Sequence, residues 1–140
     1  MILQTISMKS VTAQGMGTLS VFEAERDVPF AIKRIYYIHG APAGVERGGH
    51  AHKALRQVLW CPYGSILIKL DNGQEKAEVL LDDPAKGLIV EHDMWREMIW
   101  QKADSVLCVA ADSYYEAEDY IRDYEEFLRV VAAKHNDGEV

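Results

Sequence analysis

The feature that most restricts what this chain can fold into is the regular return of short β-branched or aromatic runs separated by turn chemistry. Eight such runs follow one another, at residues 19–24, 30–39, 55–61, 65–71, 76–81, 87–91, 96–101 and 104–111. Between them stand "AERDVP", "GAPAGVERGG", "CPYG", "DNGQ" and "DDPAKG", whose glycines, prolines and Asx residues break strands. In "DNG", Asn72 and Gly73 tolerate the positive φ of a tight type I′ hairpin turn. Eight strands joined by short turns predict an all-β sandwich or small barrel. One segment has helical periodicity instead: Ile121, Tyr124, Leu128 and Val131 recur at three to four residues within 119–135, with acidic residues at its start and Lys134 near its end. This C-terminal helix is expected to pack across the barrel, leaving "NDGEV" as a polar tail.

A chain of 140 residues, 49% apolar and 26% charged, supports one core, so a single domain over residues 1–140 is expected. The N-terminal "MILQTISMKSVTAQG" has no apolar stretch of signal-peptide length, and nothing approaches the roughly 18 apolar residues of a membrane span. A cytoplasmic protein with no membrane partner is the expectation. Cys61 and Cys108 sit in strand-like runs without CxxC or CxxH spacing, which predicts reduced, buried thiols. The net charge of -7 argues against binding nucleic acid and requires local cations around any anionic ligand. Lys33, Arg34, Arg47, Lys53 and Arg56 form such a cluster in sequence, around "RGGHAHK".

Residues i and i+2 of a strand share a face, so a strand beginning near Gly49 projects His50 and His52 into one space. Gly44, His50, His52, Gln57 and Gly64 have the spacing of the first cupin motif, with glutamine in the glutamate position. This resemblance implies a jelly-roll barrel whose mouth holds the site, commonly around a divalent metal bound by two histidines, the glutamate and a third histidine. Here the third-histidine position, counted from Trp95, is Arg96, a permanent cation that cannot ligate a metal. Gln57 is a weaker ligand than a carboxylate. His92 is the remaining candidate for a third ligand, but the expectation is no metal and no cofactor.

The chain also resembles, nearly end to end, the nucleotide-sugar 3,4-ketoisomerases related to the C-terminal domain of WxcM-like proteins. The resemblance rests on "PFAIKRIYYI" at 29–38, "RGGHAHKALRQVL" at 47–59, "WREM" at 95–98 and "DSYYEAEDYIRDYEEF" at 112–127. It implies a metal-independent homodimeric cupin that moves a keto group from C4 to C3 of a dTDP-linked 6-deoxyhexose, in a route toward amino sugars of lipopolysaccharide or S-layer glycans. Two departures stand out: Gln14, Gly15, Met16 and Gly17 replace an Asp-x-Arg-Gly element, and "WREM" replaces "WHEM".

Keto migration needs a proton taken from C3, beside the C4 carbonyl, and a proton returned to C4 after an enediol forms. Histidine, with an ordinary pKa of about 6.5, can do both near neutrality. His50 and His52 are therefore the candidate acid-base pair, with their division of labour open, and the family match adds Tyr37 for the hydroxyl protons. Arg34 and Arg47 are candidates for the diphosphate, because a guanidinium forks onto phosphate oxygens. Arg96 is a third candidate, as a relocated cation. Trp60, Trp95 and Trp100 read as core, and the acidic run around Arg122 reads as a solvated helix face. The rival readings are a sugar 3,5-epimerase, a metal-dependent cupin oxygenase and a non-catalytic sugar-binding cupin.

Overall fold

The computed structural model describes residues 2–138. Twelve strands precede one long helix: β1 (Gln4–Ser7), β2 (Lys9–Ala13), β3 (Gly17–Val21), β4 (Arg34–Ile38), β5 (Glu46–His52), β6 (Gln57–Tyr63), β7 (Ile66–Asp71), β8 (Lys76–Leu81), β9 (Lys86–Val90), β10 (Trp95–Trp100), β11 (Val106–Ala111), β12 (Tyr120–Ile121) and α1 (Tyr124–Gly138). They form two five-stranded antiparallel sheets, ordered β1-β9-β6-β11-β4 and β12-β5-β10-β7-β8, with β2 and β3 as a separate ribbon. Facing sheets with neighbours drawn from distant parts of the chain make the jelly roll of a cupin.

Alternation along the strands explains which surface each sheet buries. In β7, Ile66, Ile68 and Leu70 point inward and are buried while Lys69 points out. The inward residues meet Leu59, Leu88, Met98, Trp100, Leu107 and Val109 from the other strands in one apolar layer between the sheets. Trp100 is fully buried and its indole N–H donates to the Ser105 carbonyl at 2.8 Å, so the ring fills the core without an orphaned donor. Val28, Phe30, Val58 and Ala110 form a second cluster.

The structure alters several boundaries. β1 and β2 lie where no strand was expected, β12 falls within the expected helix, β5 starts at Glu46 rather than near Gly49, and β6 runs through Cys61–Tyr63, part of the expected "CPYG" turn. The β7–β8 connection is a four-residue loop over 72–75, since Asp71 pairs with Lys76. Only Gly73 takes a positive φ there, at 90°. Asn72 acts through its side chain instead, Oδ1 accepting from the backbone N–H of Gln74 and Glu75 at 2.9 and 2.7 Å, which a type I′ turn would not require.

The C-terminal helix begins later than its periodicity suggested. Asp119 ends a 3₁₀ turn and Tyr120–Ile121 pair with β5. Asp123 then caps α1, Oδ1 accepting from the Glu125 N–H at 3.2 Å. Residues 136–138 of the expected tail continue the helix, and 139–140 lie outside the described residues. Phe127, fully buried, packs with Ala51, Trp95 and Ile121 and anchors α1 behind β5 and β10. No helix among the described residues is long and apolar enough to cross a membrane.

Candidate active site

β5 carries both histidines, and two neighbours set their surroundings. In register, His50 lies opposite Arg96 of β10, and His52 lies opposite Tyr120 of β12. The paired glycines before them make this possible. Pairing skips Gly49, since Arg96 faces His50 while Glu97 faces Gly48, and both glycines adopt positive φ, 87° at Gly48 and 69° at Gly49. This bulge turns the strand so that both imidazoles face inward. A Cβ on Gly48 would lie 2.8 Å from the Arg96 carbonyl oxygen, so the strands also approach too closely there for any side chain.

The imidazole centroids are 5.0 Å apart, nearly perpendicular, and Tyr120 covers both, 5.0 Å from His50 and 4.4 Å from His52. His52 is buried, with Nδ1 2.9 Å from Asp119 Oδ2. A carboxylate only accepts, so neutral His52 donates from Nδ1 and keeps a lone pair on Nε2, which is buried and has no hydrogen-bond partner. Asp119 is held in turn by the Ala54 N–H at 2.9 Å. Burial first, then the Arg96 guanidinium and His50, push the His52 pKa down to about 3 against the opposing pull of Asp119. Burial and then Arg96 hold His50 at about 4, while a hydrogen bond with the Gly48 backbone pulls the other way. Both imidazoles are thus neutral near pH 7, able to accept a proton.

His50 opens on a cavity of about 450 Å³ walled by Arg34, Tyr36, Arg47, Met98, Tyr120 and Arg122. A second cavity of about 500 Å³ shares Arg34 and Tyr120 with it and is bordered by His52, Lys53, Tyr114 and Asp119. Of the residues expected from sequence, His50, His52, Arg34 and Arg47 come together here. Arg34 stacks over Tyr36 and Tyr115, at 5.3 and 5.8 Å, and its buried Nε has no partner. Arg56 is committed elsewhere, to Glu91 at 2.8 Å and to the Phe30 ring.

Two expected residues are placed differently. Tyr37 faces outward, 62% exposed, because adjacent strand residues point to opposite sides, and it is Tyr36 that turns into the cavity. Arg96 is completely buried, donating to Gln57 Oε1 and to the Met94 carbonyl, so it lies beneath the site and offers no surface to a substrate. Tyr120, Asp119 and Arg122 were missed. They fall in the acidic run read as a helix face, and only the inward-turning β12 brings them to the histidines.

The donor set does not fit the metal that cupins commonly hold. Arg96 places a permanent cation against Gln57, where the remaining ligands would stand, and that charge would repel a metal ion. His92 is exposed and paired with Asp93. Among the described residues no three His, Cys, Asp or Glu side chains cluster closely enough to bind a metal ion.

The geometry agrees with the comparisons. Residues 1–132 match the family model "FdtA: WxcM-like, C-terminal". The chain is 44% identical over 116 residues, 83% of its length and 84% of the relative's, to the TDP-4-oxo-6-deoxy-alpha-D-glucose-3,4-oxoisomerase of Aneurinibacillus thermoaerophilus. A 3,4-ketoisomerase from Helicobacter canadensis superposes with a TM-score of 0.90 at 39% identity, covering 94% of this chain and 98% of that one. A histidine-to-asparagine variant of the 3,4-ketoisomerase QdtA from Thermoanaerobacterium thermosaccharolyticum, solved with TDP-4-keto-6-deoxyglucose, superposes at 0.88 with 38% identity, covering 93% and 94%. The chain belongs to the FdtA, WxcM-like C-terminal family and is a sugar 3,4-ketoisomerase of cupin fold.

Proposed function

We propose that the protein converts a TDP-linked 4-keto-6-deoxyhexose into its 3-keto isomer by acid-base catalysis at His50 and His52, without a metal. The observation that carries this reading is a pair of neutral imidazoles 5.0 Å apart, His50 lining a cavity walled by Arg34, Arg47 and Arg122 and His52 bordering the adjoining cavity that shares Arg34. The arginines offer the forked donors that a diphosphate accepts, on a chain whose overall charge of -7 would otherwise repel it.

His50 opens on that cavity, so it takes the C3 proton and delivers a proton to C4. His52, its Nδ1 proton held by Asp119, presents Nε2 as an acceptor and serves the protons on the two oxygens. C3 loses a proton to His50 and C4 gains one from it after exchange with solvent, while O3 loses its hydroxyl proton and O4 gains one, so the balance needs no redox partner. The Arg96 charge that disfavours an imidazolium also favours the negative charge developing on the enediolate. Tyr36, rather than Tyr37, is the tyrosine that faces the substrate oxygens from the cavity wall.

The chain is proposed to act as a homodimer in the cytoplasm. Ile35 and Tyr37 on edge strand β4, with Val11 and Leu19 on the β2–β3 ribbon, are exposed apolar side chains that a second copy would cover. The free thiols of Cys61 and Cys108 suit a reducing compartment.

Incubation with TDP-4-keto-6-deoxyglucose in D₂O, followed by NMR, tests the reaction. A C3 ketone bearing deuterium at C4 is expected. Label confined to C3 and C5 would establish a 3,5-epimerase instead. Activity that survives dialysis against a strong chelator supports the metal-free reading, whereas loss restored by stoichiometric iron, zinc or manganese would overturn it.

A further inference from the structure

Beneath the histidines lies a chain of hydrogen bonds that the proton shuttle does not use. Arg96, fully buried, donates from Nε and Nη2 to the Met94 carbonyl, each at 3.2 Å, and from Nη1 to Gln57 Oε1. Gln57, also buried, has Nε2 3.1 Å from the Tyr36 hydroxyl oxygen. Tyr36 borders the arginine-walled cavity.

These three side chains permit one direction of donation. A guanidinium has only donors, so the atom facing it must be the Gln57 oxygen, which orients the whole amide. The amide nitrogen then faces Tyr36 and is itself only a donor, so the phenol oxygen must accept. An oxygen that accepts from within the protein has its own proton free, and at Tyr36 the open side is the cavity.

We infer that Arg96 and Gln57 are positioning residues that make Tyr36 a one-way hydrogen-bond donor to the substrate oxygen on which the enediolate charge develops. This rests on the ketoisomerase reading and adds why the cupin glutamate is a glutamine here. A carboxylate at position 57 would accept from Tyr36 and turn the phenol proton away from the substrate. Burial also raises the Tyr36 pKa, so the phenol keeps its proton at working pH and acts by donating a hydrogen bond.

Two measurements test the inference. Neutron diffraction of the deuterium-exchanged wild type should place a Gln57 amide deuteron on the Tyr36 oxygen and the Tyr36 deuteron toward the cavity. A Tyr36 deuteron on the line to Gln57 would overturn it, whatever the activity. In kinetics, Tyr36→Phe and Gln57→Glu should each lower kcat by about 10²- to 10³-fold, the cost of removing one such donor. The double variant should be no slower than Tyr36→Phe alone, because both changes remove the same donor. Losses that multiply, or a Gln57→Glu enzyme at wild-type kcat, would make Gln57 a packing residue. A wild type without turnover would defeat the ketoisomerase reading while leaving the deuteron positions to decide the inference.

Discussion

His50 and His52 stand two residues apart yet meet different environments, and their substitutions should separate accordingly. His50→Asn and His52→Asn keep polarity and lose the base, so each should fold, bind the TDP-sugar and lose about 10²-fold or more in turnover. Hydrogen exchange at C3 in D₂O should vanish with His50→Asn, whereas His52→Asn should slow net isomerisation more than exchange. Near-normal rates in both variants would reduce the pair to scaffold. Because His50 is held at about 4, the acid limb of kcat/KM should lie well below the 6.5 of a free imidazole. Arg47, exposed on the cavity wall, makes a simpler prediction. Arg47→Ala should weaken TDP binding by about 1.5–3 kcal/mol in calorimetry, the worth of a charged hydrogen bond. Unchanged affinity would return Arg47 to surface duty.

At the scale of elements, the site depends on β5 being bulged and on β12 lying beside it. Gly48→Ala would place a methyl 2.8 Å from the Arg96 carbonyl oxygen at a φ of 87°, so strain and overlap act together. A loss of about 1–3 kcal/mol is expected in urea unfolding. Activity should fall further than stability alone explains, because the bulge aims His50. An unaltered unfolding midpoint would show that β5 can relax there. β12, only two residues long, brings Tyr120 over both imidazoles and, through the preceding turn, Asp119 to His52. Its own Ile121 packs in one cluster with Phe127 of α1, so the helix supports the active site from outside the barrel.

The whole molecule should register the histidines in its stability. Folding lowers both pKa values, to about 4 and about 3 from 6.5, so below pH 6.5 the unfolded chain binds protons that the native state refuses. Stability should be level above about pH 6.5 and should fall as pH drops from there toward 4. Urea midpoints measured at pH 7.5 and pH 5 would show this, and His50→Asn should lessen the difference, leaving the part that belongs to His52. An equal slope in that variant would place the acid sensitivity elsewhere. The exposed apolar face makes a second prediction at this scale. Ile35→Asp combined with Leu19→Asp should convert a sedimenting dimer into a monomer, and a dimer unaffected by both would move the interface to another surface.

Sequence alone determined what depends on local chemistry and spacing. The β-rich runs and turns implied a sandwich or small barrel, the resemblance to the cupin motif from Gly44 to Gly64 implied the jelly roll and a site around the two histidines, and four motifs identified the family. Arg96 and Gln57 already argued against a metal, because neither side chain can change its charge to suit one. Tertiary structure decided what depends on direction. A strand's face follows from its register, so Tyr36 and Tyr37 were indistinguishable until β4 paired with β11 and turned Tyr36 inward. Arg96 looked like a cation available to substrate until the fold buried it completely. Asp119 lies 67 positions from His52 in the chain, and no local pattern connects them. Only the closure of the barrel brings that carboxylate to the imidazole, because long-range pairing between strands depends on the packing of the entire core.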